Sequence, residues 1–163
     1  MNSNVSRISI RLAERDDAAA IASVLSESFV EYEPLYTPAG FVATTPNAEA
    51  VLHRMDEGPT WVVMSGNTII GTISAVSRGE SLYIRGMAVL PVARGQGVGE
   101  SLLTHVENFA VTQSYKHLFL STTPFLDSAI SLYERFGFQR TAEGPHDLSG
   151  TPLFTMQKSV SSR

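Results

Sequence analysis

Residues 82–110 read LYIRGMAVLPVARGQGVGESLLTHVENFA, and they predict a strand, a glycine-rich turn and a helix in that order. Alternation along the strand places Leu82, Ile84 and Gly86 on one face and Tyr83, Arg85 and Met87 on the other. Pro91 has no N–H for a strand ladder, so we expect the strand to end by Leu90. Apolar residues then recur at helical spacing: Val98, Leu102, Leu103, Val106, Phe109 and Ala110.

The turn at residues 94–99 predicts a binding site for phosphate or pyrophosphate. The first N–H groups of a helix have no partners within the helix, and the helix dipole adds partial positive charge there. Gly95, Gly97 and Gly99 would let the backbone approach a ligand, and Arg94 would add a charge-assisted contact. Their spacing differs from the Gly-x-Gly-x-x-Gly dinucleotide fingerprint, and the Gly-Lys-Ser/Thr of a P-loop is absent.

Length and composition predict one domain over residues 1–163, with a frayed polar end at residues 1–5. The net charge is −4 and no basic run occurs, which argues against nucleic-acid binding. Cys is absent, which excludes disulfides and a Cys nucleophile, and the scattered His residues predict no metal site. No stretch has the length of a membrane span and no signal peptide is recognisable, so we expect a cytoplasmic protein.

The rest of the chain predicts the order β-α-α-β-β-β-α-β-α-β-β, an α+β fold with a mixed sheet flanked by helices. The remaining predicted strands are residues 7–12, 60–64, 68–76, 117–121, 138–142 and 152–157. The remaining predicted helices are residues 18–29, 46–57, with Thr45 as N-cap, and 128–136, ended by Gly137. Residues 30–44 are expected to form an aromatic-rich loop, and residues 144–150 a polar one.

Two motifs carry a resemblance to a known enzyme family. Arg94-x-x-Gly97-x-Gly99, after a strand ending Val-Leu-Pro, resembles the acetyl-CoA signature of the GNAT superfamily of N-acetyltransferases. Residues 129–138, AISLYERFGF, resemble the family's A-x-x-L-Y-E-x-x-G-F pattern. The element order is also that of the GNAT fold, so the resemblance covers nearly the whole chain and implies acetyl-CoA as co-substrate.

The resemblance implies roles for particular residues. Acetyl-CoA would contact Met87, Ala88, Val89, Arg94, Gly95, Gln96, Gly97, Val98, Gly99 and Glu100. Gly86, an isolated glycine in a strand, predicts either a bulge or a close backbone approach. The resemblance implies that the pantetheine arm would run beside this strand, with a backbone N–H polarising the thioester carbonyl. Tyr133 would protonate the departing thiolate. Leu126 stands where many relatives have Asn, so one hydrogen bond to CoA would be lost or would come from Thr122 or Thr123.

The acceptor side is less determined by the sequence. Tyr32 and Tyr36 in the aromatic segment, and Arg85 on the central strand, are predicted to contact the acceptor. The general base stays open between Glu31, Glu33, His53 and water. We expect transfer of an acetyl group to a small-molecule or amino-acid-like primary amine, by direct attack in a ternary complex.

Two alternatives remain open: acetylation of protein N-termini or lysines, and a CoA-binding module without catalysis. A homodimer is compatible with the sequence.

Overall fold

The computed structural model describes residues 8–142 and 146–160. Within them the strands are β1 (Ile8–Leu12), β2 (Thr60–Ser65), β3 (Thr68–Arg78), β4 (Ser81–Val89), β5 (His117–Thr122), β6 (Gln139–Arg140), β7 (His146–Leu148) and β8 (Thr151–Ser159). The α-helices are α1 (Ala18–Phe29), α2 (Pro38–Thr44), α3 (Ala48–Glu57), α4 (Val98–Thr112) and α5 (Asp127–Phe136). Short 3₁₀ segments occupy Arg15–Asp17, Val30–Leu35 and Pro91–Ala93.

The strands form one mixed sheet in the order β1-β2-β3-β4-β5-β8-β6, with β7 paired to β8. The β4–β5 pair is parallel, and the other pairs are antiparallel. One buried cluster on the sheet includes Leu102, Leu103 and Val106 of α4, and a second includes Ile21 and Leu25 of α1. The predicted α+β fold, a mixed sheet with helices on both faces, is confirmed.

The glycine in β4 forms the predicted bulge. Thr72 pairs with Ala88 and Ser74 pairs with Arg85, so Gly86 and Met87 together face a single residue of β3. Gly86 has φ +62°, a left-handed conformation that glycine adopts without a Cβ penalty. The extra residue reverses the alternation, and Met87 packs with the α4 cluster instead of sharing the face of Arg85. The predicted placement of Met87 was therefore wrong by one residue of register.

Beyond the first few residues, β4 and β5 separate. Their register includes Ser81 with His117, Leu82 with Leu118 and Tyr83 with Phe119, and it stops there. On its other side β4 remains paired with β3 as far as Val89. The second half of β4 therefore has one edge that no strand covers, and the candidate site lies along this edge.

Residues 30–44, predicted as a loop, are largely helical. A 3₁₀ segment covers Val30–Leu35, and α2 begins at Pro38 with Thr37 as its N-cap. Proline at the first helical position is a helix-start signal that the loop prediction overlooked. Helix α3 begins two residues later than predicted, because Asn47 and not Thr45 accepts the capping hydrogen bond, from Ala50 N–H at 2.9 Å.

The C-terminal strands also depart from prediction. The strand predicted at residues 138–142 shortens to Gln139–Arg140. The predicted polar loop contains β7, which forms a hairpin with β8 through Ser149 and Gly150, both at positive φ. Residues 1–7 and 143–145, which include the predicted frayed end and part of that loop, lie outside the described residues.

Among the described residues, no helix combines the length and the apolar character needed to cross a bilayer. The cytoplasmic location and the homodimer stay predictions.

Candidate active site

A cavity of about 520 Å³, called here the larger cavity, lies along the uncovered edge of β4. Its walls come from the end of α1, the second half of β4, the glycine-rich turn, the first turn of α4, and α5 with the residue before it. Most of the residues that the sequence assigned to a cofactor line it: Met87, Ala88, Val89, Arg94, Gly95, Gly97, Val98, Gly99 and Glu100. Gln96 does not line it and instead donates to Val92 O at 3.4 Å.

Glycine is needed at the three positions of the turn for different physical reasons. Gly95 and Gly97 have φ of +79° and +81°, and a Cβ on either would meet no atom within 4 Å. Because they have no side chains, Gly95 and Gly97 leave open space above the start of α4. Gly97 is the N-cap residue of this helix. A Cβ on Gly99 would lie 2.8 Å from Leu132 Cδ2 of α5. Gly99 therefore permits close packing of α4 on α5, whereas Gly95 and Gly97 leave the cavity open.

Arg94 is already held by protein groups. Its guanidinium donates to Glu31 Oε1 at 2.6 Å and to Ser28 O at 2.8 Å. These contacts fix the glycine-rich turn to the end of α1. The side chains of Arg94 and Glu31 remain 38% and 47% exposed, so a ligand phosphate could still approach the guanidinium.

Strand β4 presents backbone groups to the larger cavity. The N–H of Leu90 donates to Ile70 O on β3 at 2.9 Å. Because groups alternate along a strand, the N–H and C=O of Val89 are directed away from β3, towards the uncovered edge. The C=O of Val89 accepts a hydrogen bond from Ser28 Oγ at 3.1 Å, which agrees with this direction. A ligand lying along the edge could therefore pair with the main chain.

A second cavity of about 320 Å³, called here the smaller cavity, lies on the other side of the gap between β4 and β5. Tyr36 and Arg85, two of the predicted acceptor contacts, line it. Tyr32, the third, lines the larger cavity instead. Tyr36 belongs to an aromatic cluster, with its ring centroid 5.9 Å from that of Phe41 and 4.9 Å from that of Phe125.

The two cavities share a wall. Phe29, Met87, Leu126 and Tyr133 line both of them. Tyr133 is 8% exposed, packs on Phe138 and makes no hydrogen bond through its hydroxyl within the described residues. Burial, and to a lesser extent the nearby Tyr36, raise the pKa of Tyr133 to about 12. A neutral phenol with a free O–H therefore stands where the two cavities meet.

Residues 20–138 match the sequence profile described as the acetyltransferase (GNAT) family. The chain belongs to the GNAT family, a family of acyltransferases. It is 32% identical over 130 residues to the uncharacterized N-acetyltransferase YjgM of Escherichia coli, covering 76% of this chain and 77% of that protein. It is 33% identical over 92 residues to N-acetyltransferase 8F1 of Rattus norvegicus, covering 53% of this chain and 42% of that protein. The chain spans less than half the length of the mammalian relatives it matches.

Solved structures confirm the GNAT fold. The ribosomal-protein-S18-alanine N-acetyltransferase of Escherichia coli superposes with a TM-score of 0.78 at 16% identity, over 96% of each chain. The PaiA N-acetyltransferase of Thermoplasma acidophilum, solved in complex with coenzyme A, gives 0.78 at 19% identity, over 94% of this chain and 99% of that one. At sequence identities of 16% and 19%, the structural similarity shows the fold of this GNAT chain and nothing more.

The candidates for a general base lie away from the junction of the cavities. Glu31 is paired with Arg94, and neither Glu31, Glu33 nor His53 lines either cavity. No group of three or more metal-ligating side chains occurs in residues 8–142 and 146–160 of this GNAT chain.

Sequence reasoning missed Arg54 of α3, which lines the smaller cavity. Thr122 and Thr123 were predicted as an alternative source of the CoA hydrogen bond lost at Leu126, but they line the smaller cavity and not the larger one. Within the described residues the hydroxyl of Thr122 is buried without a hydrogen-bond partner, and that of Thr123 lies beside the Tyr36 phenol. Arg54 stands in the last turn of a polar helix, where a basic residue has the ordinary role of offsetting the helix dipole, so its position did not indicate a binding site.

Proposed function

We propose that the protein transfers the acetyl group of acetyl-CoA to the primary amine of a small molecule, by direct attack while both substrates are bound. The observation that carries the proposal is the common wall of the two cavities. A thioester in the larger cavity and an amine in the smaller one would meet beside Tyr133. Direct transfer needs this juxtaposition, and the absence of Cys removes the usual thiol for an acyl-enzyme intermediate.

The residues of the larger cavity suit coenzyme A. Phosphate groups fit the start of α4, where N–H groups without helical partners and the open space over Gly95 and Gly97 coincide. The extended pantetheine amides fit the uncovered edge of β4 and its outward Val89 N–H and C=O. Leu126 lines the cavity with an apolar side chain, so the hydrogen bond that Asn would make there has no counterpart at this position.

Acetyl-CoA, when bound, supplies the acetyl group as an activated thioester. One main-chain N–H within residues 87–89 would stabilise negative charge on the carbonyl oxygen. The exchange forms one C–N bond and breaks one C–S bond, and the proton that nitrogen loses balances the one that sulfur gains. Tyr133 would donate its O–H to the departing sulfur. Since none of the predicted bases Glu31, Glu33 and His53 lines either cavity, water is the base that the geometry favours.

The shape of the smaller cavity favours a small acceptor over an extended peptide. Leu148 and Leu153 of the β7–β8 hairpin and Ala43 and Thr44 of α2 both line it. Hydrogen bonds from Thr37 to Ser149 O and from Thr37 N–H to Thr151 Oγ1, at 2.7 and 2.9 Å, join α2 to the hairpin. This joined wall would obstruct a continuous peptide groove.

Mass-spectrometric detection of acetylated product tests the proposal. The purified chain is incubated with acetyl-CoA and with panels of small amines, of peptides with free N-termini and of peptides with internal lysines. Acetylation confined to small amines is the expected result. Efficient acetylation of peptides alone would move the function to protein modification. Binding of CoA with no product from any panel would leave a non-catalytic CoA-binding module.

A further inference from the structure

The smaller cavity has a charge pattern that the proposed function does not explain. Arg54 and Arg85 both line it, and no Asp or Glu of residues 8–142 and 146–160 does. Glu57 forms an ion pair with Arg85 from outside the cavity, through a side chain that is 56% exposed. Among the described residues, two guanidinium groups thus accompany one carboxylate, which leaves a net positive charge beside the smaller cavity.

Part of the hydrogen-bonding capacity of these arginines is unused. The Nε of Arg85 is buried and has no partner within the described residues. Arg54 donates through one terminal nitrogen to Ala43 O at 2.9 Å, while its other lies near Gly86, 3.3 Å from where a Cβ would stand. Burial and the neighbouring Arg85 both lower the pKa of Arg54. A buried cationic donor without an acceptor is costly, and a bound anion would remove that cost.

The rest of the cavity is largely apolar. Leu120, Leu148 and Leu153 line it, together with the wall that it shares with the larger cavity. Its volume of about 320 Å³ lies at the lower end of the usual range for small-molecule sites. Arg85 and Met87 both line the smaller cavity and are two residues apart in the sequence, so their Cα atoms are at most about 7 Å apart, and Arg85 lies within the length of a small molecule from the shared wall.

We propose that the smaller cavity selects acceptors in which a carboxylate accompanies the primary amine, as in an apolar α-amino acid. The carboxylate would bind the guanidinium groups of Arg54 and Arg85, the apolar body would contact the leucines, and the amine would point to Tyr133. This inference rests on the proposed function for the position of the amine. A polyamine acceptor is disfavoured, because its second cation would meet the arginines.

Matched acceptor pairs test the selection. L-leucine, L-methionine and L-phenylalanine are each compared with their carboxamide, with acetyl-CoA saturating and the acetylated product verified by mass spectrometry. We expect kcat/KM to be at least tenfold higher for each acid than for its amide. The amine of an amide loses its proton more readily, so chemical reactivity opposes the expected preference. Equal or higher kcat/KM for the amides would overturn the proposal.

Substitutions of Arg54 and Arg85 test whether these two side chains cause the preference for acids over amides. Arg54→Gln and Arg85→Gln should each raise KM for the acids about tenfold to hundredfold, the usual range for one charge-assisted hydrogen bond, and leave KM for acetyl-CoA within twofold. Neither should raise KM for the amides. Arg15→Gln, which removes the same charge from an exposed ion pair outside both cavities, should change none of these constants. An equal loss for acids and amides would make the two arginines structural and overturn the proposal.

Two further measurements keep the outcomes distinct. If Arg85→Gln does not fold, as judged by circular dichroism and by CoA calorimetry, Arg85→Lys retains the charge without Nε and should still reduce the preference for acids. Calorimetry of the same acids and amides against the CoA complex reports acceptor binding without turnover. Acid-selective binding with no acetylated product would refute the proposed function and leave the carboxylate site standing. Acetylated product from acids and amides alike would support the proposed function and refute the carboxylate site.

Discussion

At the scale of single residues, Tyr133 shows how environment defines what a side chain can do. Its ring packs on Phe138 while its hydroxyl has no protein partner in the described residues. A thiol has a pKa near 8.5, so a phenol with a pKa of about 12 transfers its proton to a thiolate only uphill. Tyr133 is therefore better suited to stabilise the departing sulfur by a hydrogen bond that strengthens as charge develops.

Tyr133→Phe removes that hydrogen bond and keeps the packing. We expect kcat to fall about a hundredfold, the lower end for losing one hydrogen bond that stabilises charge in the transition state, with CoA affinity unchanged. Tyr115→Phe is the control, because Tyr115 lines neither cavity. Steady-state kinetics with calorimetry of CoA binding measures both variants. Wild-type kcat in folded Tyr133→Phe, with chemistry limiting turnover, would leave Tyr133 as a packing residue.

The raised pKa of Tyr133 also predicts a pH profile. A phenol with a pKa of about 12 stays protonated up to pH 10, so its ionisation should not lower kcat between pH 7 and pH 10. A kcat profile with saturating substrates measures this. A descending limb near pH 10 that disappears in Tyr133→Phe would show that the phenol ionises at its ordinary pKa.

At the scale of elements, the strand–turn–helix unit followed most directly from the sequence, because Pro91 and the glycines mark its boundaries without reference to distant contacts. Residues 30–44 were mistaken for a loop, because aromatic content and two prolines obscured the short helix capped by Thr37. The position of Arg54 in the smaller cavity could not be foreseen, since it depends on how α3 packs beside β4. Tertiary packing, which periodicity does not encode, accounts for these differences.

The glycine-rich turn supports a paired prediction. Gly97 and Gly66 both have positive φ, +81° and +62°, and a Cβ on either meets no atom within 4 Å. Gly97→Ala and Gly66→Ala should therefore each lower the free energy of unfolding by about 1–2 kcal/mol. Only Gly97→Ala should weaken CoA binding, by tenfold or more, because its Cβ enters the larger cavity. Urea unfolding and calorimetry separate the two effects, and equal CoA affinities would contradict a ligand role for the turn.

Two helix caps test the wall of the smaller cavity. Thr37 and Asn47 each accept a capping hydrogen bond, from Gly40 N–H and Ala50 N–H, but only Thr37 also binds the β7–β8 hairpin. Thr37→Ala and Asn47→Ala should each cost about 1 kcal/mol of stability. Thr37→Ala alone should raise the acceptor KM several-fold, as measured by steady-state kinetics. An unchanged acceptor KM would show that the hairpin contact does not shape the acceptor site.

At the scale of the whole molecule, one ion pair links the first strand to the first helical segments. Asp17 accepts two hydrogen bonds from Arg11, at 2.8 and 3.0 Å, and one from Glu14 N–H at 2.7 Å. The hydrogen bonds from Arg11, more than any other cause, hold the pKa of Asp17 below its usual value. The carboxylate therefore stabilises the fold above the unfolded pKa, near 3.9, and this contribution is lost as pH falls through the lower folded pKa.

Asp17→Asn should lower the free energy of unfolding by about 1 kcal/mol at pH 7, and the difference should be smaller at pH 3, which lies below the unfolded pKa of the carboxyl group. Asp56→Asn removes a carboxylate from an exposed pair with Arg15 and should cost less than about 0.5 kcal/mol at either pH. Urea unfolding at pH 7 and pH 3 measures the four differences in unfolding free energy, two variants against the unchanged protein at each pH. A constant penalty for Asp17→Asn from pH 7 to pH 3 would mean that packing, and not charge, is lost.

The extra residue in β4 has a consequence for how such an enzyme could change its specificity. Gly86 shifts the side-chain alternation of β4 by one residue, so the residues before it and after it have different surroundings. Exchanging Tyr83 and Arg85, which line the smaller cavity and not the larger one, should alter which amine is accepted while CoA affinity persists. Exchanging Ala88 and Val89, which line the larger cavity and not the smaller one, should do the opposite. Because of this single glycine, the two halves of β4 can change independently. Recognition of the acceptor can therefore diverge while the binding site for the acyl donor is kept.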